Sequence, residues 1–194
     1  MIAVVVDTNI ISQSPKLARP EWISLSEHRA DWGVTLLVPE IVVMETTKVV
    51  PREWGKQRDD LSKAKVGTFG LQEQLDAIVQ GIQNHIDGYE AQLNSRLSEL
   101  GARVVPTPNV PHSNIAFRAS RGRAPYHAGV KDGYRDTLIW FTVLDVATKN
   151  SDDEVWFVSS NTNDFGNPSV KKKGDDNDAP LQLPRPLHPD LRRI

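Results

Sequence analysis

Four short apolar runs, separated by stretches of helical pattern, constrain the fold of this chain more than any other feature. They are IAVVV (2–6), GVTLLVP (33–39), the shorter run within GARVVPTP (101–108) and EVWFVSS (154–160). Uninterrupted apolar runs of this length are typical of strands buried on both faces of a parallel sheet. Because helical patterns alternate with them, the sequence predicts an α/β fold with a mainly parallel central sheet.

Helices are predicted between these strands. Proline suits the first turn of a helix, so Pro20 and Pro39 mark two helix starts, and Pro51 is expected to end the second helix. The predicted helices cover residues 20–30, 40–50 and 135–149.

A long helical insert is predicted at about residues 59–100. Apolar residues recur at spacings of three and four from Leu71 to Leu100, which indicates a continuous stripe on a helix surface. Gly81 and Gly88 argue against a single unbroken rod. The stripe is consistent with packing on the same domain and, alternatively, with coiled-coil pairing to a second copy.

Length and composition set the remaining frame. The 194 residues suit a single domain, 1–194, in which residues 109–131 form a loop and about 166–194 a largely irregular tail. The absence of cysteine excludes disulfides, thiolate metal sites and a cysteine nucleophile. No apolar run approaches the roughly 20 residues of a membrane span, and no signal peptide is recognised, so we expect a cytoplasmic protein.

Acidic and amide side chains stand where the predicted strands end or the following helices begin. Asp7 follows the first strand, Glu45 lies one to two turns into the helix after the second, and Asp136 begins a later helix. Asn161 and Asp164 follow the last strand. Because ligands of open α/β sheets bind outside the carboxyl ends of the strands, we expect these side chains to converge there.

Such a cluster predicts a divalent cation. Carboxylates within about 4–6 Å raise one another's pKa, and a bound cation relieves that repulsion. Mg²⁺ and Mn²⁺ prefer carboxylate oxygens and water, and they serve phosphoryl transfer and nuclease chemistry. The candidate metal ligands are therefore Asp7, Glu45, Asp136, Asn161 and Asp164.

Each of these positions also has an ordinary structural explanation. The sequence DTN at 7–9 is typical of a turn or a helix N-cap. Glu45 would suit a solvated helix surface, although its neighbours are apolar. An aspartate at the start of a helix, Asp136 or Asp132, favours the helix macrodipole. Only the combined placement of the acidic groups specifies a site.

The segment before Asp136 is rich in cations and suggests contact with a polyanion. Positive side chains beside a carboxylate site help a phosphate approach it, and an aromatic ring stacks on the bases of a single strand. A solvated, flexible loop is the alternative explanation. The candidate nucleic-acid-binding residues are Arg118, Arg121, Arg123, Tyr126, Lys131 and Arg135.

These blocks resemble the PIN-domain family of metal-dependent ribonucleases, which includes many toxins of toxin–antitoxin pairs. The family opens with a strand and Asp-Thr-Asn, here VVVDTNII, followed by a helix with a glutamate, here VPEIVVMETTK. A later helix begins with aspartate, here RDTLIWFTVLDVA, and a last strand precedes VSSNTNDF. All four blocks occur in the family's order, whereas the long insert and the tail fall outside the minimal pattern.

The resemblance implies a three-layer α/β/α fold and a nuclease site. Asp7, Glu45 and Asp136 match the family's acidic triad, and the fourth acidic position falls on Asn161 or Asp164. Thr8 and Asn9 match supporting positions. The implied activity is Mg²⁺- or Mn²⁺-dependent hydrolysis of RNA, and an antitoxin or a second copy of the chain is the implied partner.

Two other classes of function remain open at this point. A PIN-like domain that binds RNA or protein without cutting is favoured by asparagine at position 161, whereas the complete triad favours the enzyme. A small-molecule phosphatase on a similar sheet is the third option, and the arginine-rich segment argues against it. The family's relation to flap-type nucleases keeps DNA as a second substrate.

Overall fold

The computed structural model of the chain describes residues 1–126, 132–166 and 191. Within these residues, four parallel strands form one sheet in the order β3-β2-β1-β4. β1 lies inside the sheet, where Val4 pairs with Leu36 of β2 on one side and with Trp156 of β4 on the other. The strands are β1 (Ile2–Val6), β2 (Val34–Pro39), β3 (Arg103–Val105) and β4 (Glu154–Val158).

Seven α-helices connect these strands within the described residues, and a short 3₁₀ helix covers Gly67–Phe69. They are α1 (Thr8–Ser12), α2 (Pro20–His28), α3 (Glu40–Ser62), α4 (Gln72–Asp87), α5 (Tyr89–Glu99), α6 (His112–Ser120) and α7 (Tyr134–Lys149). α2, α3 and α5 contribute to the core on one face of the sheet and α7 to the core on the other, while α4 contacts α3 and α6 contacts α7.

Side chains alternate between the two faces of β2 and so build two cores. Leu36 and Val38 pack with α3 and α5 on one face. Leu37 packs with Trp140 and Val143 of α7 on the other. A sheet buried on both faces requires the continuous apolar runs seen in the sequence. The predicted three-layer α/β/α fold with a mainly parallel sheet is confirmed.

Helix α3 corrects the expectation that Pro51 ends it. The helix runs through Pro51 to Ser62, although an interior proline costs about 3 kcal/mol in an isolated helix. Val50 before the proline is 3% exposed, and Trp54 after it lies edge-on to Tyr89 at 5.1 Å between ring centroids. Tertiary packing on both sides of the proline therefore offsets the local penalty.

The helical insert begins later than expected and consists of two helices. Residues 59–62 belong to α3, and α4 and α5 meet at Gly88. Leu93 and Leu97 of α5 are buried in the core that includes β2, whereas Ile78 of α4 is exposed. The α5 part of the apolar stripe therefore packs on the sheet of its own chain.

The expected loop at 109–131 also contains a helix, α6, that the sequence analysis missed. Only Ile115 and Arg118 of this helix are buried, and no side chain caps its start. Residues 127–131 and nearly all of the tail, 167–190 and 192–194, lie outside the described residues, so the expectation of an irregular tail stays a prediction.

Within the part of the chain that the structure describes, no helix has both the length and the apolarity to cross a membrane.

Shortening Leu93 tests whether α5 belongs to the core. Leu93 is 1% exposed, so Leu93→Ala should lower the free energy of unfolding by about 2–5 kcal/mol. Ile78→Ala, at a position 53% exposed, should change it by less than about 0.5 kcal/mol. Urea unfolding followed by circular dichroism measures both, and equal small effects would contradict the packing of α5.

Candidate active site

Asp7 occupies the junction between β1 and α1, at the carboxyl edge of the sheet. It is the N-cap of α1, and its side chain is 2% exposed. One carboxylate oxygen, Oδ1, accepts a hydrogen bond from the Thr8 amide at 2.7 Å. The other, Oδ2, accepts from Asn9 Nδ2 and from Ser159 Oγ, both at 2.6 Å. Both oxygens are therefore held in place by donors from the chain itself.

The electrostatic environment of Asp7 is unfavourable to its charge. Burial is the main cause that raises its pKa from 3.8 to about 6, and the nearby charges of Asp136 and Glu45 raise it further. Hydrogen bonds from Ser159 and the Thr8 amide oppose this change in pKa. The structure thus places the three predicted triad carboxylates close enough to interact, from β1, α3 and α7.

Glu45 approaches this cluster from the second turn of α3. Its Oε2 accepts a hydrogen bond from Thr8 Oγ1 at 2.8 Å, which ties α3 to the residue after Asp7. Its Oε1 forms an ion pair with the guanidinium of Arg135. Only 14% of the Glu45 side chain is exposed, so it is not the solvated helix residue of the alternative explanation.

Asp136 lies in the first turn of α7, where an acidic residue favours the helix dipole. Asp132 has a different position: it is exposed, and its Oδ1 accepts from the Tyr134 amide at 3.0 Å. Asp132 therefore supports the start of α7. Of the two aspartates, Asp136 is the one whose charge raises the pKa of Asp7.

A hydrogen-bonded chain joins the residues after β4 to Asp7. Asn161 Nδ2 donates to Asp164 Oδ2, and the Asn161 amide donates to Ser159 Oγ at 3.0 Å. Ser159 in turn donates to Asp7. Asp164 is 2% exposed and is held through Asn161 and Ser159, whereas the carboxylates that perturb the pKa of Asp7 are Asp136 and Glu45.

Ser159 is a site residue that the sequence analysis did not select. It stands first in the SSN sequence after β4, two positions before Asn161, in the block VSSNTNDF that resembles the family. That spacing was the available signal. Asn9 strengthens the same junction, because its Oδ1 accepts from the Ser160 amide at 3.0 Å.

The carboxylate and amide oxygens of this site are suitable ligands for a hard divalent cation, although they are not arranged around a single point. Carboxylate oxygens are preferred by Mg²⁺ and Mn²⁺, and positive charge would relieve the repulsion that raises the pKa of Asp7. Across residues 1–126, 132–166 and 191, however, no three His, Cys, Asp or Glu side chains form a group that could hold a metal ion. Both oxygens of Glu45 are engaged, by Thr8 and Arg135.

The predicted nucleic-acid-binding residues separate into two groups. Arg118 is 8% exposed and donates to the Ala124 carbonyl, so it holds the segment after α6 in place. Arg135 pairs with Glu45. Arg121 is exposed, Arg123 and Tyr126 are half-buried, and Lys131 lies outside the described residues.

Gly133 brings the arginine-bearing segment against the start of α7. A Cβ atom at Gly133 would lie 2.9 Å from the Pro125 carbonyl oxygen and 3.0 Å from the Tyr126 amide nitrogen. The backbone at Tyr126 can therefore approach the first turn of α7, which carries Asp136, only because position 133 lacks a side chain.

Comparison with known proteins identifies one family. The sequence model of a family described as PIN domain matches residues 4–165, which includes every acidic residue considered above. A search of curated proteins and a search of solved structures each found no match. The match confirms the resemblance drawn from the sequence blocks.

Asp7→Asn tests the electrostatic cost of the buried carboxylate. Because its pKa is raised to about 6 in the folded state, stability is lost as the pH rises from about 4 to about 6. The shift corresponds to about 3 kcal/mol at pH 7. Relative to wild type, Asp7→Asn should therefore gain up to that amount as the pH rises through this window, measured by urea unfolding in EDTA.

The pH dependence of the difference is the decisive quantity, because asparagine also changes the hydrogen bonds to Asn9 and Ser159. Asp76→Asn, at an exposed position of α4, is the matched control and should show no comparable trend. A difference between wild type and Asp7→Asn that stays constant with pH would contradict the raised pKa.

Proposed function

The chain belongs to the PIN-domain family, and from that premise we propose that it is a divalent-metal-dependent endoribonuclease that hydrolyses single-stranded RNA. PIN domains are nucleases in general, so the finer elements of the proposal are the metal, the RNA substrate and the residues. A cytoplasmic location, an antitoxin or other protein partner and a homodimer extend the same proposal.

The observation that carries the proposal is the meeting of three carboxylates from separate elements beside the carboxyl end of β1. Asp7 accepts hydrogen bonds from Thr8, Asn9 and Ser159. The nearby charges of Asp136 and Glu45 help to raise its pKa. Retaining three acids around a buried site is electrostatically costly, and that cost is relieved when the site binds a cation.

In the proposed mechanism Asp7, Glu45 and Asp136 would hold the cation, and Asn161 or Asp164 would fill the fourth position. Mg²⁺ or Mn²⁺ would lower the pKa of a bound water and neutralise charge on the phosphate oxygens. Thr8 orients Glu45, and Asn9 and Ser159 fix the carboxylate of Asp7. Groups that orient ligands in this way typically change metal affinity or activity by 10–100-fold.

RNA is favoured over DNA by the family resemblance, and the arginine-bearing segment supports a polyanionic substrate. Residues 101–131 contain five basic and no acidic side chains. The backbone of this segment at Pro125 and Tyr126 lies against Gly133, at the start of the helix that carries Asp136. DNA therefore serves as the comparison substrate in the tests.

A second candidate function is a PIN domain that binds RNA or protein without cutting it. The ion pair between Arg135 and Glu45 favours this candidate, because it occupies a carboxylate oxygen that a catalytic cation would need. The two candidates differ in whether Glu45 exchanges Arg135 for a metal ion.

Cleavage by the purified protein tests the proposal. Wild type should cut a labelled single-stranded RNA pool with Mn²⁺ or Mg²⁺ and not in EDTA. Asp7→Asn, Glu45→Gln and Asp136→Asn should each lose at least about 100-fold in rate, more than the loss of a group that only orients a ligand. Asp145→Asn, at a half-buried position of α7 where the side chain pairs with Lys149, should retain full activity.

The same assay separates substrate from mechanism. Cutting of DNA at the same rate as RNA would show that the proposed preference for RNA is wrong. Cutting that persists in EDTA would show that the proposed dependence on a metal ion is wrong. A folded protein that binds RNA and cuts neither substrate would favour the binding module.

Arg135→Gln tests the competition for Glu45 without relying on activity. Loss of a partly exposed ion pair worth up to about 1 kcal/mol should tighten Mn²⁺ binding up to about fivefold, measured by titration calorimetry. Glu45→Gln should weaken it. Lys48→Gln, one turn along α3, controls for the general removal of positive charge and should have a smaller effect.

If Arg135→Gln and Glu45→Gln both leave Mn²⁺ affinity unchanged, Glu45 is not a metal ligand.

A further inference from the structure

A pocket of about 240 Å³ lies between α6 and α7, on a different part of α7 from the carboxylate site. Its walls combine two aromatic rings with three guanidinium groups, and none of its lining residues is acidic. The residues used below are Phe117, Arg118, Arg121, Arg123 and Phe141.

The charge around this pocket is one-sided although the whole chain is slightly acidic. Residues 101–131 carry five basic side chains and no acidic one, so all 25 acidic side chains of the chain lie elsewhere. Three of the five basic side chains line the pocket. A concave surface of one sign concentrates ligands of the opposite sign, which here are anions.

Two arginine side chains of the pocket lie against phenylalanine rings. Arg118 is 8% exposed, donates to the Ala124 carbonyl and lies 5.9 Å over the ring centroid of Phe141. At the mouth, the guanidinium of Arg121 lies 5.8 Å from the ring centroid of Phe117. Phe117 is 60% exposed, so its ring is accessible to a planar ligand.

We propose that this pocket binds a nucleoside phosphate, with the base against the phenylalanine rings and the phosphate on Arg121 and Arg123. Aromatic rings and arginine planes stack on any nucleobase, and arginine binds phosphate through two parallel hydrogen bonds. The volume is below the roughly 300–1,000 Å³ of clefts that bury drug-sized ligands, so a bound nucleotide would be enclosed only in part and the rest of it would stay exposed.

The ligand has two possible sources, a nucleotide within an RNA strand and a free mononucleotide. Phe141 and Leu144 follow Asp136 by five and eight residues on α7, which is about 7–12 Å along the helix axis and roughly 80–140° around it. A strand following the helix surface spans that distance with a few nucleotides, at about 3.4 Å for each stacked one. The strand source rests on the proposed function, whereas the free nucleotide does not.

Binding measured in EDTA tests the pocket without any cleavage. Fluorescence anisotropy follows a labelled single-stranded RNA, and calorimetry follows AMP and inorganic phosphate. Phe117→Ala and Arg121→Gln should each weaken RNA or AMP binding roughly 5- to 100-fold, the range expected for loss of one stacking partner.

Matched controls exist for both substitutions. Phe69→Ala removes a phenylalanine that is 75% exposed and lies outside the pocket. Arg103→Gln removes an exposed arginine of β3 from the same acid-free segment, also outside the pocket. All four positions are exposed, so the folded state should be retained, and circular dichroism verifies this.

Weakened binding of both ligands, or of RNA alone, in the two pocket variants and not in the controls supports a strand nucleotide. Weakened binding of AMP alone supports a free mononucleotide. Equal effects of Arg121→Gln and Arg103→Gln, with none from Phe117→Ala, would overturn the proposal in favour of a diffuse basic surface. Binding unchanged in every variant, or phosphate binding as tightly as AMP, would also overturn it.

The outcomes separate this proposal from the proposed nuclease activity. Metal-dependent cleavage together with unaffected binding in the pocket variants would contradict the nucleotide-binding pocket and support the nuclease activity. Binding that depends on the pocket residues, without cleavage, would contradict the nuclease activity and support the nucleotide-binding pocket.

Discussion

Burial of the Asp7 carboxylate beside two other acidic side chains is the constraint on which the site depends. An isolated charge in this position would be destabilising, so the chain surrounds it with donors from Thr8, Asn9 and Ser159. The hydroxyl of Thr8 also holds Glu45. One carboxylate thus ties β1, α1, α3 and the segment after β4 into a single hydrogen-bonded arrangement.

The sheet topology makes this arrangement geometrically necessary. β1 lies between β2 and β4, and all three strands are parallel, so their carboxyl ends meet at one edge. The helix after β2 and the turn after β4 therefore begin on either side of Asp7. Placement of polar side chains at such an edge is a general property of open α/β sheets, and PIN domains, the family to which the chain belongs, are nucleases in general.

Sequence patterns predicted the parts of this molecule that local physics controls. Apolar runs located the strands because a doubly covered sheet demands them. The prediction that Pro51 ends its helix was wrong, because packing of Trp54 against Tyr89 offsets the cost of a proline inside α3. Placement of the acids at strand ends predicted that Asp7, Glu45 and Asp136 would meet, whereas the pairing of Arg135 with Glu45 joins residues 90 positions apart and has no local signature. The burial of Arg118 was missed because it depends on packing between α6 and α7, where the guanidinium lies over the ring of Phe141.

The contact between Asp7 and Ser159 has a consequence for the timing of synthesis. The two residues are 152 positions apart, and β1 finds its β4 neighbour only when the later residue has been made. At about 5–20 residues per second, a ribosome needs roughly 8–30 seconds to cover that interval. Throughout that time the nascent chain displays Asp7 without the hydroxyl that fixes it. The contact between Asp7 and Ser159 therefore forms only after nearly all of the matched region, 4–165, has been synthesised.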